Sequence, residues 1–162
     1  MIMPILKDYS SKPNCEVEIN VLSVDSSSVS FDLYFRTGPA FPEVHMEIRC
    51  LKEDFLKLLD DLKQIDHTHL SMLEMHDPGL CIYHIPQFGQ YYYPNYGLFQ
   101  VSESERNDFD PLYKLIFTLE AKEKNRCQYG ASECGLALCI VVKLEQIIEF
   151  VDSIKSQMKN FS

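Results

Sequence analysis

An α+β fold is predicted: a mainly antiparallel sheet of about six to eight strands, with two amphipathic helices over residues 51–65 and 143–158 packed on it. Apolar and polar residues alternate with a period of two through three successive early segments, the mark of half-buried strands. The period lengthens to that of a helix twice, each time directly after a strand pattern. Clusters of turn residues separate the segments at short intervals. With 162 residues, 46% of them apolar and 24% charged, the chain can bury one sizeable core without crosslinks, and it is read as a single domain over 1–162.

The elements follow in order. Cys15, Val17, Ile19 and Val21 alternate with Glu16, Glu18 and Asn20, and Asp25 to Ser28 is a polar turn. Val29, Phe31, Leu33 and Phe35 then alternate with Ser30, Asp32, Tyr34 and Arg36 until Gly38-Pro39 breaks the pattern. Val44, Met46, Ile48 and Cys50 alternate with Glu43, His45, Glu47 and Arg49. Three such strands read as an antiparallel meander with one face in water.

At Leu51 the spacing becomes helical, with Leu51, Phe55, Leu58, Leu59, Leu62 and Ile65 on one stripe. Glu53 and Asp54 suit the positive end of the helix dipole and Lys63 the negative end. A short segment from His69 to Met75 and a strand from Leu80 to Ile85 flank the turn Asp77-Pro78-Gly79. A strand from Leu112 to Ala121 and a long hairpin connection around Gly130 lead to Leu136–Val142. That last run is apolar on both faces, as expected of a central strand. The closing helix carries Leu144, Ile147, Ile148, Val151, Ile154 and Met158 on one stripe. Each helix follows a strand and is expected to fold back on the same sheet. There is no internal repeat, low-complexity tract or dividing linker.

The formal charge is -9, and it is uneven: residues 1–81 hold 14 acids against 7 bases, a net of -7, and the remainder a net of -2. Such a surface repels nucleic-acid phosphates and anionic lipid, and it attracts a basic partner. The N-terminal residues carry no signal-peptide pattern, and the apolar run Gly135–Val142 is too short to span a bilayer. Six cysteines with no C-x-x-C spacing point to reduced thiols and a cytoplasmic location. Cys127 and Cys134 flank the long connection, where a redox-sensitive pair is one reading and two separate thiols the other.

Chemistry-bearing patterns are sparse. His67, His69, His76 and His84, with Cys81 nearby, invite a metal reading, but no spacing matches a zinc arrangement and no metal or other cofactor is expected. Cys134 follows an acid, which opposes thiolate formation, and the glycines form no phosphate loop. No catalytic residue is assigned. A histidine-based metalloprotein or small enzyme stays as an alternative.

The most unusual stretch is Gln87 to Phe99, with six aromatics and no charge. Three consecutive tyrosines in a strand point to both of its faces, so at least one is expected to face solvent. Tyrosine joins a large apolar face to a polar tip, a combination favoured at interface hot spots. The rival reading is a hairpin that merely lids the core.

The order of elements resembles the small acidic immunity proteins of bacterial contact-dependent and polymorphic toxin systems, the WapI-like group in particular. The resemblance is carried by Phe55-Leu56-Lys57-Leu58-Leu59-Asp60-Asp61-Leu62, Met72-Leu73-Glu74, Leu80-Cys81-Ile82-Tyr83 and the placement of the helix Leu144–Ile154. It covers about two-thirds of the chain as an order of elements, through short motifs. Tryptophans and aspartates expected near the early strands are missing, and the connection around Gly130 departs from the pattern. The resemblance implies a non-catalytic protein that binds and blocks a toxin domain. On this reading Tyr91, Tyr93 and Tyr96 are the aromatic anchors, Phe88 and Tyr92 belong to the same partner-binding patch, and Asp60, Asp61 and Asp66 steer a basic protein partner. An assembly subunit that homodimerises through the tyrosine hairpin is a further alternative.

Overall fold

The computed structural model describes residues 3–10, 12, 15–75, 79–86, 89–93, 97–101, 111–120 and 135–161, with backbone alone at 89–93, 97–101 and 120. Its strands are β1 Ile5–Lys7, β2 Glu16–Val24, β3 Ser28–Arg36, β4 Val44–Leu51, β5 Ser71–Met75, β6 Leu80–Ile85, β7 Gly89–Tyr93, β8 Gly97–Val101, β9 Leu112–Glu120 and β10 Gly135–Lys143. The helices are α1 Lys52–Lys63 and α2 Leu144–Lys159. The fold is α+β, with two four-stranded antiparallel sheets, ordered β1-β2-β3-β4 and β10-β9-β6-β5, and a separate hairpin β7-β8.

The meander β2-β3-β4 forms for the reasons its alternation predicts. Val17, Ile19, Val21, Val29, Phe31, Leu33, Phe35, Ile48 and Cys50 are buried on one face. The β2–β3 turn is closed by Asp25, whose carboxylate accepts from the Ser27 amide at 3.0 Å and from the Ser28 amide and hydroxyl at 2.7 Å each. Lys52 N donates to Ser27 O at 2.9 Å, fixing where α1 leaves the sheet. Phe55, Leu58, Leu59 and Leu62 form the buried stripe of α1, and the Phe55 ring stacks on Phe31 at 4.6 Å.

The sheets and helices share one hydrophobic core. α1 packs on β3, β4 and β5, α2 packs on β1, β2 and β10, and the helices touch each other. Each helix therefore folds back on the sheet of the strand it follows, as expected, and packs on the second sheet as well. Phe35 meets Phe117 edge-on at 6.2 Å, joining the inner faces of the two sheets directly.

Three details depart from expectation. Leu51 belongs to β4 and is 59% exposed, so α1 begins one residue later, and α2 runs Leu144–Lys159. The strand β1 was not foreseen. The strand β10 lies at the edge of its sheet, not its centre. Leu138, Ile140 and Val142 are buried beside α2 and the β1 side, where Tyr9 N donates to Val141 O at 2.9 Å, while Leu136 stays exposed. The predicted connection around Gly130 lies outside the described residues.

Candidate functional site

The outward face of β2-β3-β4 carries charged residues on all three strands. Because side chains alternate across a strand, burying Val17, Ile19, Phe31, Leu33 and Ile48 sends Glu16, Glu18, Asp32, Tyr34, Arg36, His45, Glu47 and Arg49 outward. The register pairs Glu16 with Arg36, Glu18 with Tyr34, Tyr34 with His45 and Asp32 with Glu47.

Arg36 organises one end. Its Nη1 donates to Glu16 Oε1 at 3.0 Å and to Glu18 Oε2 at 2.5 Å, and its Nε donates to Glu43. The guanidinium also lies 4.9 Å from the Tyr34 ring centroid. Partial desolvation opposes its charge, but the hydrogen bonds to Glu18, Glu43 and Glu16 outweigh that and hold it firmly protonated. Glu18 is only 5% exposed despite facing outward, so its charge depends on this partner.

The middle of the face is built differently. The Tyr34 and His45 rings stack at 4.5 Å, and His45 Nε2 lies 2.8 Å from Asp32 Oδ1. Burial, then the charges of Asp32 and Glu18, push the Tyr34 phenol up. Glu47 stands directly across from Asp32 and has no ion pair among the described residues. Like charges facing each other across strands cost stability. At the turn, the Ser28 hydroxyl and then the Ser27 and Ser28 amides hold the Asp25 carboxyl at about 2, and Arg49 stands 3.4 Å away.

Two pockets open beside this face, at the connection between β3 and β4. One, of about 400 Å3, is walled by Glu16, Arg36 and Glu43, and the other, of about 350 Å3, by Phe35, Val44, Leu136 and Leu138. Thr37 and Phe41 line both.

The residues singled out from the sequence fall elsewhere. Asp60 and Asp61 sit on α1, where Asp60 pairs with Lys155 of α2 and Asp61 with Lys57 at 3.0 Å. Asp66, in the connection between α1 and β5, accepts from the Thr68 hydroxyl at 2.7 Å and amide at 2.8 Å, and His69 Nδ1 is 2.9 Å away. These bonds, led by the Thr68 hydroxyl, hold its carboxyl well below the usual carboxylate range. Asp60 and Asp66 are thus exposed and Asp61 partly buried, and all three are engaged within the chain. Tyr91, Tyr92 and Tyr93 lie in β7, paired with Phe99, Leu98 and Gly97 of β8, with their side chains outside the description. Phe88 and Tyr96 lie outside the described residues.

Of the histidines, His67 and His84 both approach Tyr113, at ring distances of 6.5 and 5.4 Å, and His84 is fully buried. His76, Cys127 and Cys134 lie outside the described residues, among which no group of three His, Cys, Asp or Glu is placed to hold a metal. Cys15 and Cys139 are free thiols. No described helix is long and apolar enough to cross a membrane.

Comparison of the chain with protein-family models, with curated proteins and with solved structures finds no match.

Proposed function

We propose that this protein is a non-catalytic binding domain of the cytosol that covers a basic protein, and that it acts as an immunity protein against a toxin domain. The observation that carries the reading is the open face of β2-β3-β4, where Glu47 opposes Asp32 across the strands; Asp32 has His45 Nε2 2.8 Å away, while Glu47 has no ion pair among the described residues. A face that keeps like charges opposed gives up folding stability, and a cationic partner would recover it on docking. The overall charge of -9 works in the same direction by speeding encounter. The sequence resemblance to WapI-like immunity proteins agrees with this. The face takes over the steering role first given to Asp60, Asp61 and Asp66, whose charges already have partners within the chain.

The test is to look for a toxin-like protein encoded beside this chain and to follow its association by stopped flow at low and high salt; a neighbourhood that encodes none would count against the reading. A one-to-one complex is expected, with association slowing as salt rises and slowing about tenfold further in Asp32→Lys combined with Glu47→Lys. An association rate indifferent to both salt and the reversed charges would overturn the reading.

A further inference from the structure

We infer that the two pockets on either side of Phe41 form one composite anchor for an extended segment of the basic partner. A Lys or Arg side chain enters the acidic pocket, and an aliphatic or aromatic side chain two residues away enters the apolar one. The inference rests on the binding reading above and names where on the acidic face the partner is held.

The connection between β3 and β4 creates the geometry. Gly38 has φ 85°, a conformation that glycine adopts without steric penalty, and Phe41 N donates back to Gly38 O at 3.4 Å. The turn lifts Phe41 onto the rim, where it is 66% exposed. An aromatic ring left this open, bordering two concavities at once, has the placement of an interface anchor.

The chemistry of the two sides selects the occupant. On one side Glu16 and Glu43 line the pocket and, with the buried Glu18 behind them, converge on Arg36, while among the described residues Lys7, 3.7 Å from Glu16, is the second cation paired in this cluster. Carboxylates outnumber cations there, so an incoming cation gains and an anion is repelled. On the other side Phe35, Pro42, Val44, Leu136 and Leu138 offer almost no polar surface, and Leu136 is 46% exposed. Leu136 lies on β10, whose side away from β9 has no strand partner at residues 135–139 among the described residues. An extended segment can add there, and its alternate side chains fall about 7 Å apart on one face. A second copy of the chain would bring another charge of -9 to an acidic site, which disfavours self-association.

The probe is a set of three blocked peptides of threonine: one with Arg and Leu two residues apart, one with Glu for the Arg, and one with Ser for the Leu. Binding is read from NMR shifts of the Val44, Leu136 and Leu138 methyl groups. The Arg–Leu peptide is expected to shift all three and to bind at least about tenfold more tightly than either control. Phe41→Ser with Leu136→Ser should remove this binding while leaving the unfolding midpoint nearly unchanged, since both side chains are already largely exposed. Equal binding of the Glu peptide, shifts confined to other residues, or no shifts at all would each overturn the anchor. The double variant also separates this inference from the broader reading. Full-length partner that still binds it at wild-type strength, with salt dependence intact, removes the anchor and keeps the acidic face; loss of salt dependence in the wild type removes the acidic face itself.

Discussion

His84 Nδ1 lies 2.9 Å from the main-chain carbonyl oxygen of His69, so a fully buried side chain of β6 pins the connection that follows α1. A carbonyl oxygen only accepts, so Nδ1 carries the proton and Nε2 presents a lone pair. That Nε2 is buried and has no hydrogen-bond partner among the described residues. The surroundings include the Tyr113 ring from β9 and, from the connection, Asp66 and His67.

This arrangement predicts acid sensitivity. Burial holds the His84 imidazole below its ordinary value of 6.5; the bond to His69 and the Asp66 charge work against this, and His67 works with it. A depressed histidine means that the unfolded chain takes up a proton before the folded one does. Its contribution is therefore complete above about pH 6.5 and declines as pH falls below it, by at most about 1.4 kcal/mol per pH unit. Urea unfolding of His84→Leu between about pH 8 and 5 should show this slope removed. Asp66 acts in a separate, more acidic window: its depressed carboxyl stabilises above the unfolded carboxylate range and is lost only as pH falls below 3.8. A wild-type slope that survives in His84→Leu would assign the effect to another group.

Arg36 and Glu18 make a second prediction. Arg36→Met leaves a carboxylate with 5% exposure facing an apolar replacement, and should cost about 2–3 kcal/mol in chemical denaturation. Adding Glu18→Gln should recover more than half of that, because the amide needs no counter-charge. Additive losses would show that the pair acts only through packing.

The helix-to-helix ion pairs are expected to matter little. Lys155→Ala and Lys63→Ala break contacts to Asp60 and Asp152 that are half open to water, and each should cost about 0.5 kcal/mol, vanishing in high salt. Asp60→Ala should likewise leave association with a basic partner nearly unchanged, because Lys155 already neutralises that acid. Glu47→Ala should slow association measurably.

Much of the fold was legible because it rests on local periodicity. Alternation at Val29–Phe35 and at Val44–Cys50, and the stripe Phe55, Leu58, Leu59, Leu62, are patterns that a sheet face or a helix face must show when it is buried. The strand β1 escaped because three residues after Pro4 are too few to display a period. Its shortness has a consequence that was also invisible. Beyond Ile19, whose amide reaches Pro4 O at 3.1 Å, the edge of β2 is open, and Gln157 of α2 accepts from Val21 N at 3.0 Å. A glutamine on an apolar helix stripe looks like a mismatch until the orphaned amide it satisfies comes into view.

What the sequence determined by itself was the fold class, the two helices and the outward charge of the early strands, all properties of residues within a few positions of each other. What only the tertiary structure decided was which charges meet. Asp60 finds Lys155 across 95 positions, while Asp32 and Glu47 are set opposite one another by strand register. An acid's availability to a partner depends on its nearest cation, and that cation is placed by chain folding rather than by sequence proximity.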